Sequence, residues 1–200
     1  MIESYFRPTY QRHFVDPIAY VIAKYFPRSA NYWTLIGCLF GIAVLPALMF
    51  KHNDIAIILL LLSGYLDTLD GTIARISGNS TMHGSIFDIF ADRVVELSVV
   101  LGLFLIDPIH RSLAAILMLS SILLCITAFL VVGIFTPKDG EKSFFYSPGL
   151  MERAEAFIFF IAMMLFPYHF NSLAYSFTLL VFITACIHLY QFNKYSRMAT

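Results

Sequence analysis

The chain has 200 residues, of which 59% are hydrophobic and only 13% are charged. A soluble domain carries about 25% charged residues, so this composition excludes an ordinary soluble domain and favours a membrane protein. Lys and Arg number 13 and Asp and Glu also number 13, so the net charge is zero. Nothing in this balance indicates a nucleic-acid partner, which would require a basic patch.

The first 30 residues precede any long apolar run. Over residues 4–26, apolar side chains recur every three or four positions between charged ones. This pattern is typical of an amphipathic helix that lies in the membrane interface. An ordinary helix packed against the rest of the protein would explain it equally well. We expect Pro8 and Pro17 to divide this segment into two pieces.

Six apolar runs follow, each near the length of about 20 residues that a transmembrane helix needs. They cover residues 32–50, 55–75, 85–106, 113–135, 154–170 and 173–192. Turn-forming residues separate them, and the shortest break lies at Asn171 and Ser172. The sequence therefore predicts an all-α integral membrane protein with one domain over residues 1–200. In it, an N-terminal interfacial amphipathic helix over residues 1–30 precedes a bundle of six transmembrane helices over residues 31–200.

The distribution of Lys and Arg predicts the orientation of these spans. With six spans, both termini lie on one side, which receives all the basic residues except Lys51 and Arg111. Basic residues concentrate in cytoplasmic loops. We therefore expect both termini, the loop at Asn79 and the loop at Lys138 to be cytoplasmic.

Acidic residues concentrate in the second and third spans, where their burial in lipid is costly and indicates a function. Asp67 and Asp70 are three residues apart and share one helix face, and Asp88 and Asp92 are four apart and share another. A tight turn near Gly78 makes the two spans antiparallel neighbours. Asp70 and Asp88 then lie at a similar distance from the turn, so the four carboxylates should converge just inside the cytoplasmic face.

Clustered carboxylates repel one another, and a divalent cation relieves this repulsion. Oxygen ligands suit Mg²⁺, Mn²⁺ or Ca²⁺ better than zinc. An ion-pair network with Arg75 and Arg93 is the alternative, but two arginines cannot neutralise five acids once Glu96 is counted. We expect Glu96 to support the metal site or to pair with Arg93. Gly71 and Gly84 would let a phosphate approach the backbone beside Arg75.

Residues 67–92 resemble the signature of the CDP-alcohol phosphatidyltransferase family, D-x2-D-G-x2-A-R-x8-G-x3-D-x3-D. All the fixed positions match, namely Asp67, Asp70, Gly71, Ala74, Arg75, Gly84, Asp88 and Asp92. The start of the first span is similar to the family's P-N-x-x-T-x-x-G stretch, with Ala30 in place of the proline before Asn31, Thr34 and Gly37. The segment GLMERAE, residues 149–155, resembles a stretch of bacterial phosphatidylglycerophosphate and phosphatidylinositol-phosphate synthase relatives.

The resemblance implies an enzyme of phospholipid biosynthesis. It would transfer a phosphatidyl group from CDP-diacylglycerol, or a similar CDP-lipid, to an alcohol and release CMP. By position, one or two Mg²⁺ or Mn²⁺ ions would be held by Asp67, Asp70 and Asp88, and Asp92 would be the general base and could touch a second ion. The CDP pocket would be lined by Asn31, Thr34, Gly71, Ala74, Arg75 and Gly84. A homodimer in the bacterial inner membrane, with a cytoplasmic active site, is also implied.

The acceptor alcohol is the open part of this resemblance. Lys138, Lys142 and Arg153 are the expected acceptor-binding residues, although a cytoplasmic loop would carry the two lysines in any case. The end of the fourth span lacks the K-x-R cluster of inositol-phosphate-type relatives. This disfavours inositol phosphate and leaves glycerol 3-phosphate, serine or a less usual alcohol.

Two other functions remain alternatives. The first is the reaction of CDP-choline or CDP-ethanolamine with diacylglycerol, which the same signature would serve. The second is an ion-binding membrane transporter, which would place its acids near the bilayer midplane on broken helices. The acids here lie near one face of the membrane, which disfavours the transporter.

Overall fold

The computed structural model describes residues 10–25, 30–78, 80–135 and 149–199, with side chains described up to residue 193. Within these residues the chain is helical and contains no strand, in agreement with the all-α prediction. It divides into two compact units, an N-terminal unit that ends at Ile109 and a C-terminal unit that begins at His110.

In the N-terminal unit, a π-helical turn at Gln11–Val15 leads into the helices α1 (Asp16–Tyr25), α2 (Ala30–Met49), α3 (Asn53–Ile76) and α4 (Met82–Leu105). The next helix, α5 (Pro108–Phe135), lies mostly in the C-terminal unit. After it come α6 (Arg153–Leu165), a 3₁₀ turn at Pro167–His169 and α7 (Phe170–Ala199).

Within the described residues, four stretches are long and apolar enough to cross a membrane: α2, α3, α5 and Pro167–Asn193. They make the chain an integral membrane protein. The third predicted span corresponds to α4, which carries four charged residues, Asp88, Asp92, Arg93 and Glu96, and the fifth corresponds to α6, which has 13 residues. The count of six spans therefore stays a prediction.

The N-terminal segment packs against α3. Its buried face forms one apolar cluster with the inner face of α3, made of Val15, Ala19, Ala23, Leu66, Leu69 and Ile73. The other face leaves Phe14, Ile18, Val21 and Tyr25 exposed. The chain is not broken at Pro17, contrary to expectation, and the π-helical turn at Gln11–Val15 runs directly into α1, with the Asp16 N–H donating to the Gln11 carbonyl. Pro8 lies outside the described residues, and a place in the membrane interface stays a prediction.

Glycines bring α2 close to both of its neighbours. A Cβ built on Gly37 would lie 3.3 Å from the Cβ of Leu66 on α3. A Cβ on Gly41 would collide with Val95 of α4, and one on Gly102 of α4 would lie 2.8 Å from Leu48 of α2. Small residues allow helices to approach closely in membranes. These contacts fix α3 and α4 relative to α2, and both carry the predicted site.

The connection between α3 and α4 is short. Helix α3 ends at Ile76, and Gly78 follows with a φ of 66°, a conformation that glycine adopts without strain. Helix α4 then begins after Thr81, whose hydroxyl accepts a hydrogen bond of 3.0 Å from the backbone N–H of Gly84. The predicted tight turn near Gly78 is present.

The predicted break at Asn171 and Ser172 was wrong, because both residues lie inside α7. The chain turns earlier, at Pro167–His169, where Pro167 has no N–H to continue α6. The Asn171 side chain donates a hydrogen bond of 3.2 Å to the carbonyl of His110. A polar side chain that bonds to a neighbouring backbone carbonyl is compatible with a helix and does not require a turn.

Candidate functional site

Three carboxylates from two helices converge in the N-terminal unit. Asp67 and Asp70 lie on one face of α3, and Asp88 lies in the second turn of α4. One ligand atom from each of the three lies within 4.8 Å of the others. Asp70 is only 4% exposed, and Asp67 and Asp88 are half-buried. Of the four acids predicted to converge, the structure therefore brings these three together, and Asp92 lies outside the group.

The chemistry of this group fits a hard divalent cation. Its donor atoms are carboxylate oxygens, which Mg²⁺, Mn²⁺ and Ca²⁺ prefer. One oxygen from each of the three carboxylates lies within 4.8 Å of the others, so their charges repel unless a proton or a cation lies among them. The Oδ1 atom of Asp88 is buried and has no hydrogen-bond partner among the described residues. Leaving a buried acceptor without a hydrogen-bond partner costs free energy, and a bound ligand would remove that cost.

Asp92 lies one turn beyond Asp88 on α4 and outside the group of three. Its Oδ2 atom is 3.9 Å from Nη2 of Arg93, which also forms a 2.6 Å ion pair between Nη1 and Oε2 of Glu96. Of the two predicted partners of Glu96, the structure thus places Arg93 in contact with it. Arg93 holds positive charge beside Asp92, whereas the other three acids face one another.

Two of the predicted nucleotide-binding residues meet where α2 and α4 begin. A Cβ built on Gly84 would lie 3.2 Å from Oδ1 of Asn31 and 3.2 Å from Oγ1 of Thr81. A larger residue at position 84 would therefore press on the Asn31 amide. Thr34, one turn after Asn31, is buried, and its hydroxyl donates to the carbonyl of Ala30 at 3.2 Å. The glycine keeps the start of α4 close to the Asn31 side chain.

The remaining predicted nucleotide-binding residues follow the acids along α3. A Cβ at Gly71 would meet only Nη1 of Arg75, at 3.5 Å, so the Arg75 guanidinium lies alongside this glycine. Ala74 is half-buried and Arg75 is exposed. Arg75 donates a hydrogen bond of 2.9 Å from Nη2 to the hydroxyl of Thr72. An open glycine and a guanidinium therefore lie together, one turn from Asp67 and Asp70.

Two residues that contact this part of the site were not predicted from the sequence. They are Thr72, which accepts the hydrogen bond from Arg75, and Gln11, which also donates to Thr72. The amide of Gln11 donates to Oγ1 of Thr72 at 2.8 Å, across a separation of 61 residues. Thr72 precedes Arg75 by three positions, a helical spacing that could have indicated the contact between them. No spacing rule connects Gln11 to α3.

One of the predicted acceptor-binding residues, Arg153, lies in the C-terminal unit. Arg153 is the first residue of α6 and is half-buried, with its guanidinium 5.4 Å from the centre of the Phe157 ring. Two residues further on, Glu155 is buried. Lys138 and Lys142 lie outside the described residues.

Several known proteins are similar to this chain in sequence. Inner membrane protein YnjF of Escherichia coli (strain K12) is 32% identical over 141 residues, which cover 67% of this chain and 68% of that protein. Archaetidylinositol phosphate synthase of Methanothermobacter thermautotrophicus is 35% identical over 98 residues, covering 49% and 48%. Phosphatidylinositol phosphate synthase of Corynebacterium glutamicum is 27% identical over 146 residues, covering 72% and 65%.

A solved structure shares the fold. The crystal structure of Mycobacterium tuberculosis phosphatidylinositol phosphate synthase (PgsA1) with CDP-DAG bound superimposes with a TM-score of 0.73 at 18% identity. The alignment covers 90% of this chain and 93% of that one. The family model described as CDP-alcohol phosphatidyltransferase matches residues 28–190. Because this match spans most of the sequence, including every acid of the site, the chain belongs to the CDP-alcohol phosphatidyltransferase family.

Proposed function

We propose that this protein transfers a phosphatidyl group from CDP-diacylglycerol, or a similar CDP-lipid, to an alcohol acceptor. The acceptor oxygen forms a bond to the lipid-bearing phosphorus, the bond from that phosphorus to the bridging oxygen breaks, and CMP leaves with that oxygen. The observation that carries this proposal is the convergence of Asp67, Asp70 and Asp88 within 4.8 Å. It supports a cation site at the acids of the family signature.

In this proposal Asp67, Asp70 and Asp88 hold one or two Mg²⁺ or Mn²⁺ ions, and Asp92 could touch the second. A bound divalent ion would neutralise charge on the pyrophosphate and on the departing CMP. The three carboxylates orient the donor by fixing where its phosphates can lie. Asp70 is the most buried of the three, so its carboxylate is the most rigidly held ligand.

Asp92 is the proposed general base. It would accept the proton of the acceptor hydroxyl as the new phosphorus–oxygen bond forms, an effect worth roughly 10²- to 10⁴-fold in rate. Its contact with Arg93 supports a separate role from the other acids, because Arg93 stabilises the ionised carboxylate that a base requires. The carboxylates of the group of three face one another, and a cation would offset their mutual repulsion.

The CDP moiety is proposed to lie among Asn31, Thr34, Gly71, Ala74, Arg75 and Gly84. Two features support this placement, the open approach to the backbone at Gly71 and the guanidinium of Arg75 beside it. Arginine binds phosphate oxygens with two parallel N–H groups. The Asn31 amide beside Gly84 supplies further hydrogen-bonding groups for the nucleotide.

The acceptor is proposed to be a small alcohol bound with the help of Arg153, Lys138 and Lys142. A half-buried arginine at the start of α6 is well suited to a phosphorylated acceptor. We further propose a homodimer in the bacterial inner membrane, with both termini and the active site cytoplasmic. The uneven distribution of Lys and Arg along the sequence supports this orientation.

The test is CMP release by the purified protein with Mg²⁺ or Mn²⁺. CDP-diacylglycerol would be offered with glycerol 3-phosphate, serine, inositol phosphate and inositol in turn. A parallel series would offer CDP-choline or CDP-ethanolamine with diacylglycerol. CMP release only in the first series would support the proposal, and release only in the second would replace it with the choline or ethanolamine reaction. If no combination of donor and acceptor releases CMP, the proposed function is wrong.

A further inference from the structure

The side-chain amide of Gln11 joins the N-terminal segment to α3. Its Nε2 donates one hydrogen bond to Oδ1 of Asp16 and another to Oγ1 of Thr72, both at 2.8 Å. A carboxylate only accepts hydrogen bonds, so the contact with Asp16 determines that the NH₂ end of the amide faces this pair. Both protons of the Gln11 amide are thereby used, and one of them is directed at Thr72.

Thr72 is 3% exposed, and its hydroxyl is fully engaged. The hydroxyl proton is donated to the carbonyl of Thr68 at 2.8 Å. Its two lone pairs then receive Gln11 from one side and Nη2 of Arg75, at 2.9 Å, from the other. Because the amide of Gln11 must donate, the direction of every bond around this hydroxyl is determined. The lone pair that receives Arg75 points in one defined direction.

We propose that Gln11 is a positioning residue that acts through Thr72 to hold the Arg75 guanidinium beside Gly71, ready for the pyrophosphate of the CDP-lipid. This inference rests on the proposed function, in which Arg75 binds phosphate. An exposed arginine otherwise loses side-chain entropy each time it binds a ligand. One N–H group of Arg75 is held by Thr72, and the others in the fork remain for phosphate oxygens.

Through the hydrogen bonds that join Gln11, Thr72 and Arg75, the N-terminal segment would contribute to substrate binding. Gln11 lies outside the family signature of residues 67–92, and its side chain donates to Asp16 and Thr72. The apolar cluster of α1 and α3 holds the two segments together. Loss of the Gln11 amide should therefore weaken nucleotide binding while the helices stay packed.

The experiment measures the affinity of purified variants for CDP in the presence of Mg²⁺, by calorimetry in detergent. Gln11→Met keeps the length of the side chain and removes its hydrogen bonds, and Thr72→Val does the same for the hydroxyl. Each should raise the Kd for CDP roughly 3- to 10-fold, the effect expected for one lost hydrogen bond. The KM for the CDP-lipid should rise in the same proportion, with a smaller change in kcat.

Two further variants separate this role from a structural one. Thr72→Ser keeps the hydroxyl and should bind CDP like the wild type. Thr68→Val is a matched control, because the Thr68 hydroxyl also bonds to a carbonyl one turn back, that of Gly64 at 3.0 Å, and takes no part in the bonds to Arg75. In an Arg75→Lys background, Gln11→Met should cause no further loss of CDP affinity.

The outcomes distinguish this inference from the proposed function. If the wild type releases CMP and both Gln11→Met and Thr72→Val bind CDP as it does, the positioning role is wrong and the function stands. The positioning role is also wrong if Gln11→Met weakens CDP binding equally in the Arg75→Lys background. If the wild type neither binds CDP nor releases CMP, both proposals are wrong. Should Gln11→Met fail to fold, the comparison of Thr72→Val with Thr72→Ser decides.

Discussion

Removing one carboxylate from the acidic group should have opposite effects on stability with and without a divalent cation. The variant is Asp88→Asn, which keeps the shape of the side chain and removes its charge. At a separation of 4.8 Å and an effective dielectric constant of about 20, two ionised carboxylates repel by about 3.5 kcal/mol. Asp88 takes part in two of the three pairs, so its charge adds several kcal/mol of repulsion, less whatever bound protons and counter-ions remove.

Without a divalent cation, the Asp88→Asn variant should therefore unfold at a higher temperature than the wild type. For a chain of this size, each kcal/mol corresponds to about 2–4 °C. With Mn²⁺ at a hundredfold excess over its Kd, the wild type should gain about 2.7 kcal/mol, or roughly 5–11 °C. The variant lacks one of three ligands, so its unfolding temperature should rise little. Mn²⁺ should therefore reduce or reverse the difference in unfolding temperature between the two proteins.

The assay is thermal unfolding in detergent, in EDTA and then across a Mn²⁺ titration. The chain has one tryptophan, Trp33, which packs against the apolar cluster of α1 and α3 and reports on that core. Asp54→Asn is the control, because Asp54 lies on α3, the helix of Asp67 and Asp70, but is exposed in its first turn. It should leave the Mn²⁺ shift unchanged. A variant at Asp88 that is less stable than the wild type in EDTA, or that keeps the full Mn²⁺ shift, would refute this account.

Four further changes have defined outcomes. Asp92→Asn should lower the rate of CMP release by at least about 10²-fold with CDP affinity near that of the wild type, and a loss of binding instead would contradict its role as the base. Arg153→Gln should raise the KM for a phosphorylated acceptor about tenfold without changing the KM for the CDP-lipid, and equal changes in both would argue against an acceptor contact. Gly41→Leu should lower the free energy of unfolding by about 1–3 kcal/mol, since its side chain would collide with Val95, and an unchanged melting temperature would contradict this packing. Lys51→Gly should raise it by about 0.5–1 kcal/mol, because Lys51 has a φ of 61° that glycine adopts without strain, and denaturant unfolding of both proteins would detect the difference.

The acidic site could be predicted because its geometry is local. Asp67 and Asp70 lie on one face through helical spacing alone, and a short connection at Gly78 brings α4 back beside α3. The distance of each acid from the turn, along its helix, then follows from the number of residues between them. Asp88 needs no long-range information to meet the other two. Most of the helices were predictable for the same reason, since apolar runs and breaks are read along the chain.

Contacts between distant segments could not be predicted. The hydrogen bond from Gln11 to Thr72 spans 61 residues and depends on how α1 packs against α3. The break before α7 was placed at Asn171 because asparagine favours turns, yet its side chain bonds to the carbonyl of His110 instead. In each case a polar side chain has several possible partners. Tertiary packing determines which partner is used, and the local sequence does not indicate it.

Helix α4 shows how a helix with several charged residues can still be suited to a membrane. Asp88 faces Asp67 and Asp70, and Val95 and Gly102 pack against α2. Besides the exposed His83, its exposed side carries five large apolar residues: Met82, Ile86, Phe90, Leu97 and Leu105. The first three follow one another at intervals of four, and Leu97 continues the same face two turns later. A helix with an apolar stripe outside and carboxylates inside can lie in lipid although it carries four charged residues, because each face meets a different environment. This arrangement favours α4 as the third span, which stays a prediction.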